Sequence, residues 1–393
     1  MRELKFLENE DEVSQDTFDL LLRGPHSQPL CPRLLKLSWF ADPVFGGDFT
    51  SFLSPQLQDI HLTSRPGTQF PFAHAISILP ISTLESLRLS ITGNEPVNEA
   101  IASMFRTVTR SLRMLEISGM DQLRDDTWRS IMFYPRLRSL ETDQRPPTFF
   151  LPGIPVCFPS LQKITLRGPA ASGWIWFLTQ TSSNAGPQPR RVAPHLVQLY
   201  CEYRAELGAT LIPHLCVFRN LSRLILRTGC SPTMCTFLLA DEDISRLAIE
   251  FPGLREFSIG PPCANNSCRT TTNSLLVLST RCKGLQWLSI HFNTRNFARD
   301  MENSLYDPLR RNSHPPQRCP LTVLNVGITP LTMEALGEDV YPTLAGLVDI
   351  FPRLQRIRFH ALSSQTSRGW QQLSTRIPGF QEMRKSLPAV FTQ

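Results

Sequence analysis

Four cysteines are, by type and spacing, the residues of this chain best placed to do chemistry. Cys230 and Cys235 form one C-x4-C pair, and Cys263 and Cys268 form a second. The pairs begin nine residues after Leu221 and Leu254, respectively, and end fourteen residues after them. Both leucines open a copy of one recurring phrase, so stacking the copies would bring the four thiols together. Four thiolates around one point can hold a structural zinc. The spacing is loose for such a ligand set, and a repeat duplicates whatever it carries. Semi-buried loop thiols are therefore the expectation, and no metal or cofactor is assigned.

The eight histidines, His26, His61, His74, His195, His214, His291, His314 and His360, are scattered and pair with no Ser or Cys nucleophile. His291 and His360 share one repeat position at strand ends and read as surface groups. There is no phosphate-binding glycine loop, no H-E-x-x-H and no G-x-S-x-G. No enzymatic activity is expected.

The elements that must position these residues are set by the phrase itself. Its clearest copies are CPRLLKLSW at 31–39, YPRLRSLET at 134–142, FPSLQKITL at 158–166, FRNLSRLIL at 218–226, FPGLREFSI at 251–259, CKGLQWLSI at 282–290 and FPRLQRIRF at 351–359. The shared core is Leu-x-x-Leu-x-Leu. Its twelve first leucines are Leu34, Leu57, Leu84, Leu112, Leu137, Leu161, Leu196, Leu221, Leu254, Leu285, Leu321 and Leu354, at intervals of 23 to 36 residues. That core and period are those of a leucine-rich repeat. The Leu-x-Leu alternation reads as a strand with one apolar face, which only stacking can bury. Parallel neighbours need crossovers, and segments 97–108, 239–251, 274–281 and 331–351 carry helical periodicity.

The expected fold is thus an α/β leucine-rich-repeat solenoid, a ribonuclease-inhibitor-like horseshoe. About 12 parallel strands would line the concave face, with helices and loops on the convex face. Segments 181–194 and 293–320 read as long mobile loops. Residues 1–30 are the expected lead-in or cap, with an apolar cluster within 8–22. Residues 31–360 form the array, and 361–393 a C-terminal cap and tail with Trp370, Leu373, Ile377 and Phe380.

Charge and composition narrow the function. Net charge is +6, hydrophobic content 41% and charged content 19%. The basic excess is spread along the chain rather than gathered into a stripe, which argues against nucleic acid. No apolar run is long enough to span a membrane and no signal peptide is visible, so a cytoplasmic or nuclear, reducing location is expected. The cysteines at 31, 157, 201, 282 and 319 fall at repeat positions and read as small buried thiols. Only five residues are Lys.

The concave face is the candidate binding surface. The third and fifth repeat positions would point out of the sheet there, placing Glu116, Glu141, Tyr200, Arg223, Trp287, Arg356 and Arg358 in reach of a protein partner. Trp, Tyr and Arg are the types most enriched at binding hot spots. Trp287, taken as exposed, is the sharpest candidate.

The opening stretch from 17 to 62 resembles the start of the repeat region in fungal F-box proteins, especially of mushroom-forming fungi. The residues that carry the resemblance are Leu30, Pro32, Leu34, Leu37 and Trp39, then Phe52, Leu53, Pro55, Leu57, Ile60 and Leu62. The resemblance implies an α/β repeat fold whose concave face captures a protein substrate for an SCF-type ubiquitin ligase. It also implies an F-box that binds a Skp-type adaptor and, through it, a cullin. Residues 1–30 contain no F-box opening, so those two partners are expected only if an F-box lies upstream. The alternative is a free-standing repeat scaffold or inhibitor with no ubiquitin link.

Overall fold

In a computed structural model of the chain, the described residues are 2–6, 29–41, 49–64, 72–79, 82–91, 95–107, 111–120, 122–148, 156–183, 191–203, 209–228, 238–260, 269–306, 319–337, 339–360 and 364–386. They fall into two units, Met1–Leu196 and Val197–Gln393.

The first unit holds seven parallel strands paired in chain order. They are β1 (Glu3–Phe6), β2 (Lys36–Ala41), β3 (Asp59–Ser64), β4 (Ser86–Ser90), β5 (Met114–Ser118), β6 (Ser139–Thr142) and β8 (Lys163–Leu166). A separate two-stranded ladder joins β7 (Val156–Cys157) to β9 (Arg191–Val192). The helices between strands are α1 (Phe72–Ser77), α2 (Glu95–Thr107), α3 (Asp125–Met132) and α4 (Ala171–Ser183).

The second unit holds six parallel strands: β10 (Gln198–Tyr203), β11 (Arg223–Thr228), β12 (Glu256–Ile259), β13 (Trp287–Ile290), β14 (Val323–Gly327) and β15 (Arg356–Phe359). Its helices are α5 (Ile212–Leu215), α6 (Asp241–Glu250), α7 (Asn273–Arg281), α8 (Phe297–Tyr306), α9 (Met333–Leu336), α10 (Val340–Ile350) and α11 (Ser364–Ser386). The α/β leucine-rich-repeat fold expected from the phrase is the fold of each unit. Twelve strands follow the twelve leucines; β1 precedes them all and has no copy of the phrase.

The Pro-x that precedes many copies has a physical reason. The amide of the first leucine donates back to the residue three before it: Leu34 to Cys31 at 3.0 Å, Leu161 to Phe158 at 3.2 Å, Leu254 to Phe251 at 3.1 Å and Leu354 to Phe351 at 3.0 Å. Proline at the second turn position is preset for such a turn. A hydroxyl in the next copy then ties successive turns together. Ser54 donates to the Pro32 carbonyl at 2.7 Å, Thr83 to Leu57 at 2.8 Å, Ser111 to Leu84 at 2.9 Å and Ser160 to Pro135 at 2.5 Å. In the second unit thiols take the role, Cys282 toward Phe251 at 3.7 Å and Cys319 toward Leu285 at 3.6 Å. Burial pushes both thiols up, to about 12 for Cys282 and about 11 for Cys319. They are core atoms and not nucleophiles.

Several crossovers differ from expectation. The segment read as a loop over 293–320 contains α8, whose Phe297 and Met301 are fully buried. Its Asn- and Arg-rich exposed side hides a short apolar stripe. The loop read over 181–194 begins inside α4 and includes β9. The single helix expected over 331–351 is two, α9 and α10, divided at Gly337, whose φ of 83° is open to glycine. Helix α10 crosses α8 closely: a Cβ on Gly346 would sit 2.2 Å from the Met301 carbonyl oxygen. The apolar cluster expected within 8–22 lies outside the described residues. At the other end, α11 buries Trp370, Leu373 and Ile377, with Phe380 half-buried.

Helix α11 also ends the second ladder chemically. The Gln381 side-chain amide donates to the Leu354 carbonyl and, at 3.4 Å, to Pro352. These are the acceptors that a following repeat's hydroxyl would take. Ser374 donates to the Ile357 carbonyl of β15 at 3.4 Å. The last strand is thereby covered rather than left as a pairing edge.

Candidate functional site

Each unit presents one strand face opposite its buried leucines, and the registers line up the outward side chains into rows. In the first unit the central row runs Ser38, His61, Arg88, Glu116, Glu141, Thr165 across β2 to β8. Neighbours in such a row are about 4.8 Å apart at the backbone. Like charges side by side, as Glu116 and Glu141 are, repel. Burial, and then the Glu116 carboxylate, hold the Glu141 carboxyl above its ordinary range. The opposing influences are Arg167, Lys163 and Arg88, with Arg167 in a 2.5 Å ion pair to Glu141. At the other end of the row burial, and then Arg88, lower the His61 imidazole against the opposite pull of Glu116 and Asp59. His61 shares a 3.2 Å hydrogen bond with the Thr63 hydroxyl.

In the second unit the central row runs Tyr200, Ile225, Ser258, Ser289, Asn325, Arg358. The row beside it runs Gln198, Arg223, Glu256, Trp287, Val323, Arg356. Arg223 grips Glu256 in two contacts, Nε at 2.6 Å and a terminal nitrogen at 3.1 Å. Arg227 lies 5.5 Å over the Tyr200 ring, a cation–π arrangement. Arg356 and Arg358 stand exposed on β15.

The structure therefore puts Glu116 and Glu141 side by side on the first unit's open face. Tyr200, Arg223, Trp287, Arg356 and Arg358 share the open face of the second. Three details differ from the sequence reading. Trp287 is half-buried among its row neighbours rather than exposed. Ile225, whose fifth repeat position should point out of the sheet beside Tyr200, is instead buried at 5% exposure. His291, expected at the surface, is 2% exposed and its Nδ1 bonds the Thr329 hydroxyl at 2.8 Å; a buried imidazole with a hydroxyl partner is a core group. His360 is exposed. The residues that sequence reasoning passed over are Arg167 and Arg227, which partner Glu141 and Tyr200. Their signal was present, since each stands next to a candidate in the aligned copies.

The four cysteines at 230, 235, 263 and 268 lie outside the described residues, as does any geometry for a metal among them. Among the described residues no three His, Cys, Asp or Glu side chains converge on one point. No helix among them is long and apolar enough to cross a membrane.

No family model matches the chain, and no curated protein matches it. Among solved structures it is similar to one described as "Crystal structure of Rad7 and Elc1 complex in yeast". The identity is 14%, covering 88% of this chain and 79% of that one, with a TM-score of 0.37. At that level the likeness bears on neither activity nor partner.

Proposed function

We propose that this chain is a protein-binding leucine-rich-repeat module that captures a protein on the open strand face and performs no chemistry itself. The observation that carries the reading is the second unit's outward face, where Tyr200 in one row and Arg223 and Trp287 in the next are held in register by strand pairing. Hot-spot residues on rigid strands lose little freedom on docking, which is what makes a face competent to bind. The cellular role we assign is substrate recognition for an SCF-type ubiquitin ligase in the cytoplasm or nucleus. That assignment rests on the resemblance of the opening stretch, Leu30 to Leu62, to fungal F-box repeat proteins.

Affinity purification of the tagged native protein, with mass spectrometry of what accompanies it, tests the role. A Skp-type adaptor and a cullin are expected. Their absence alongside stable other partners would replace the ligase role with a free-standing scaffold. The binding face is tested separately: Trp287→Ala should weaken the strongest recovered partner by more than about fivefold, the level that marks a contact of consequence. Unchanged affinity with unchanged folding would remove Trp287 from the site.

A further inference from the structure

The second unit's open face is closed electrostatically at one end and open at the other. Arg223 has its carboxylate in Glu256, and Arg227 has its ring in Tyr200. The side chains of Arg356 and Arg358 have no hydrogen-bond, ion-pair or ring partner among the described residues. They are two apart on β15, so both side chains leave the same face about 6.6 Å from one another. The strands beside them, VLNVG in β14 and WLSI in β13, carry no acidic residue. Two cations therefore sit together with no counter-charge among the described residues. Val323 and Asn325 flank them, and Trp287 lies one strand further.

We propose that this corner, β13 to β15, docks an extended acidic segment of a partner protein. Two carboxylates at alternate positions would meet Arg356 and Arg358, with an apolar side chain against Trp287 and Val323. The inference rests on the protein-binding reading above and names the chemistry of the partner. Alternate side chains of an extended peptide repeat at the spacing of the two arginines. Guanidinium groups take carboxylates in two parallel bonds, and desolvation on docking strengthens pairs that are weak when exposed. Beyond this corner no cationic stripe continues for a nucleic-acid backbone to follow, since Arg223 is answered by Glu256 and exposed Glu202 stands in register with Arg227.

The test is a displayed library of random twelve-residue peptides selected on the full chain. Peptides enriched in acidic-x-acidic with a nearby apolar residue are expected. Their affinity should fall at least about tenfold on the double variant Arg356→Ala, Arg358→Ala, and Arg356→Lys, Arg358→Lys should retain most of it. Both positions are exposed, so thermal unfolding should not move. Three results overturn the inference: no acidic enrichment, acidic peptides that bind the double variant equally, or a single-stranded oligonucleotide that binds this corner more tightly than any peptide. Peptides without acids that still depend on Trp287 would sink only the acidic segment and leave the binding reading standing. A library that yields nothing sensitive to Trp287, Tyr200 or Arg356 would remove both.

Discussion

The open face of the first unit balances its charges within the row, whereas that of the second leaves part of its charge unanswered. Along β3 to β8, Arg88 stands between His61 and Glu116, and Glu141 is tied to Arg167. Along β10 to β15 only the near half is balanced, by Arg223 with Glu256, and the side chains of Arg356 and Arg358 have no counter-charge among the described residues. Both faces are built on the same leucine phrase. The leucines specify strand, turn and register, and they leave the third and fifth positions free to diverge. A partner gains little by replacing counter-charges already in place and gains more where none exists. On the protein-binding reading proposed above, the second unit is the one expected to take a partner, and the first the one expected to keep a self-contained, charged surface.

The largest expected effects ask whether the two units are built alike beneath those faces. Each has one tryptophan that pins a helix to a preceding loop. In the first, the Trp174 indole donates to the Gln144 carbonyl at 2.7 Å and meets Trp128 edge-on at 4.8 Å. In the second, the Trp370 indole donates to the Thr329 carbonyl at 2.8 Å and packs on Phe297 at 5.2 Å. Trp174→Ala and Trp370→Ala should each cost about 3–5 kcal/mol in urea titrations. A loss under about 1 kcal/mol for either would mean that its unit does not depend on that anchor, and the structural parallel would fail.

A glycine substitution is expected to act on the second unit alone. Gly346→Ala forces a Cβ against the Met301 backbone between α10 and α8, an overpacking that costs about 1–3 kcal/mol. Gly253→Ala, with nothing within 4 Å of the added atom, is the matched control and should be close to neutral. Equal thermal shifts for the two would show that α8 and α10 part readily.

The ends of the turn ladder give a smaller effect. Gln381→Ala removes the donor that stands in for a further repeat, leaving the Leu354 and Pro352 carbonyls without it. Ser160→Ala removes the ordinary version of the same bond inside the first unit. Each should cost about 1 kcal/mol in urea titrations. If Gln381→Ala proves silent while Ser160→Ala does not, α11 covers β15 by apolar packing alone.

Much of this was legible in the leucines because they are buried, periodic and bound to Pro-x turns; β2 to β6, β8 and β10 to β15 each stand where a copy of the phrase stands. What was not legible has specific causes. Strand β1 borrows its register from β2 and has no phrase of its own. Helix α8 was hidden because its stripe is only three residues, Phe297, Met301 and Leu305, set among more numerous Asn and Arg. His291 was misplaced because a strand-end position does not reveal that Thr329, from a different repeat, would come within 2.8 Å and let the ring be buried. The face residues were locatable from their repeat positions, but their charge balance was not. That balance depends on which neighbour across the ladder turns toward which, and alignment of copies gives adjacency without side-chain direction.

The smallest expected effect bears on the first unit's internal balance. Burial first, and Arg88 second, depress the His61 imidazole. The folded state therefore holds it neutral near pH 7 and must charge it at a cost in acid. A depressed group contributes stability that is present above its unfolded value, 6.5, and is lost as pH falls through the folded value. Arg88→Gln removes one depressing influence and leaves burial in place. The His61 titration measured by NMR should move up, and the acid-linked loss of stability should shrink. Asp59→Asn removes a raising influence and should move it further down. If neither variant shifts His61, the charges of that row do not sense one another, and the contrast between a self-balanced first face and an open second one falls.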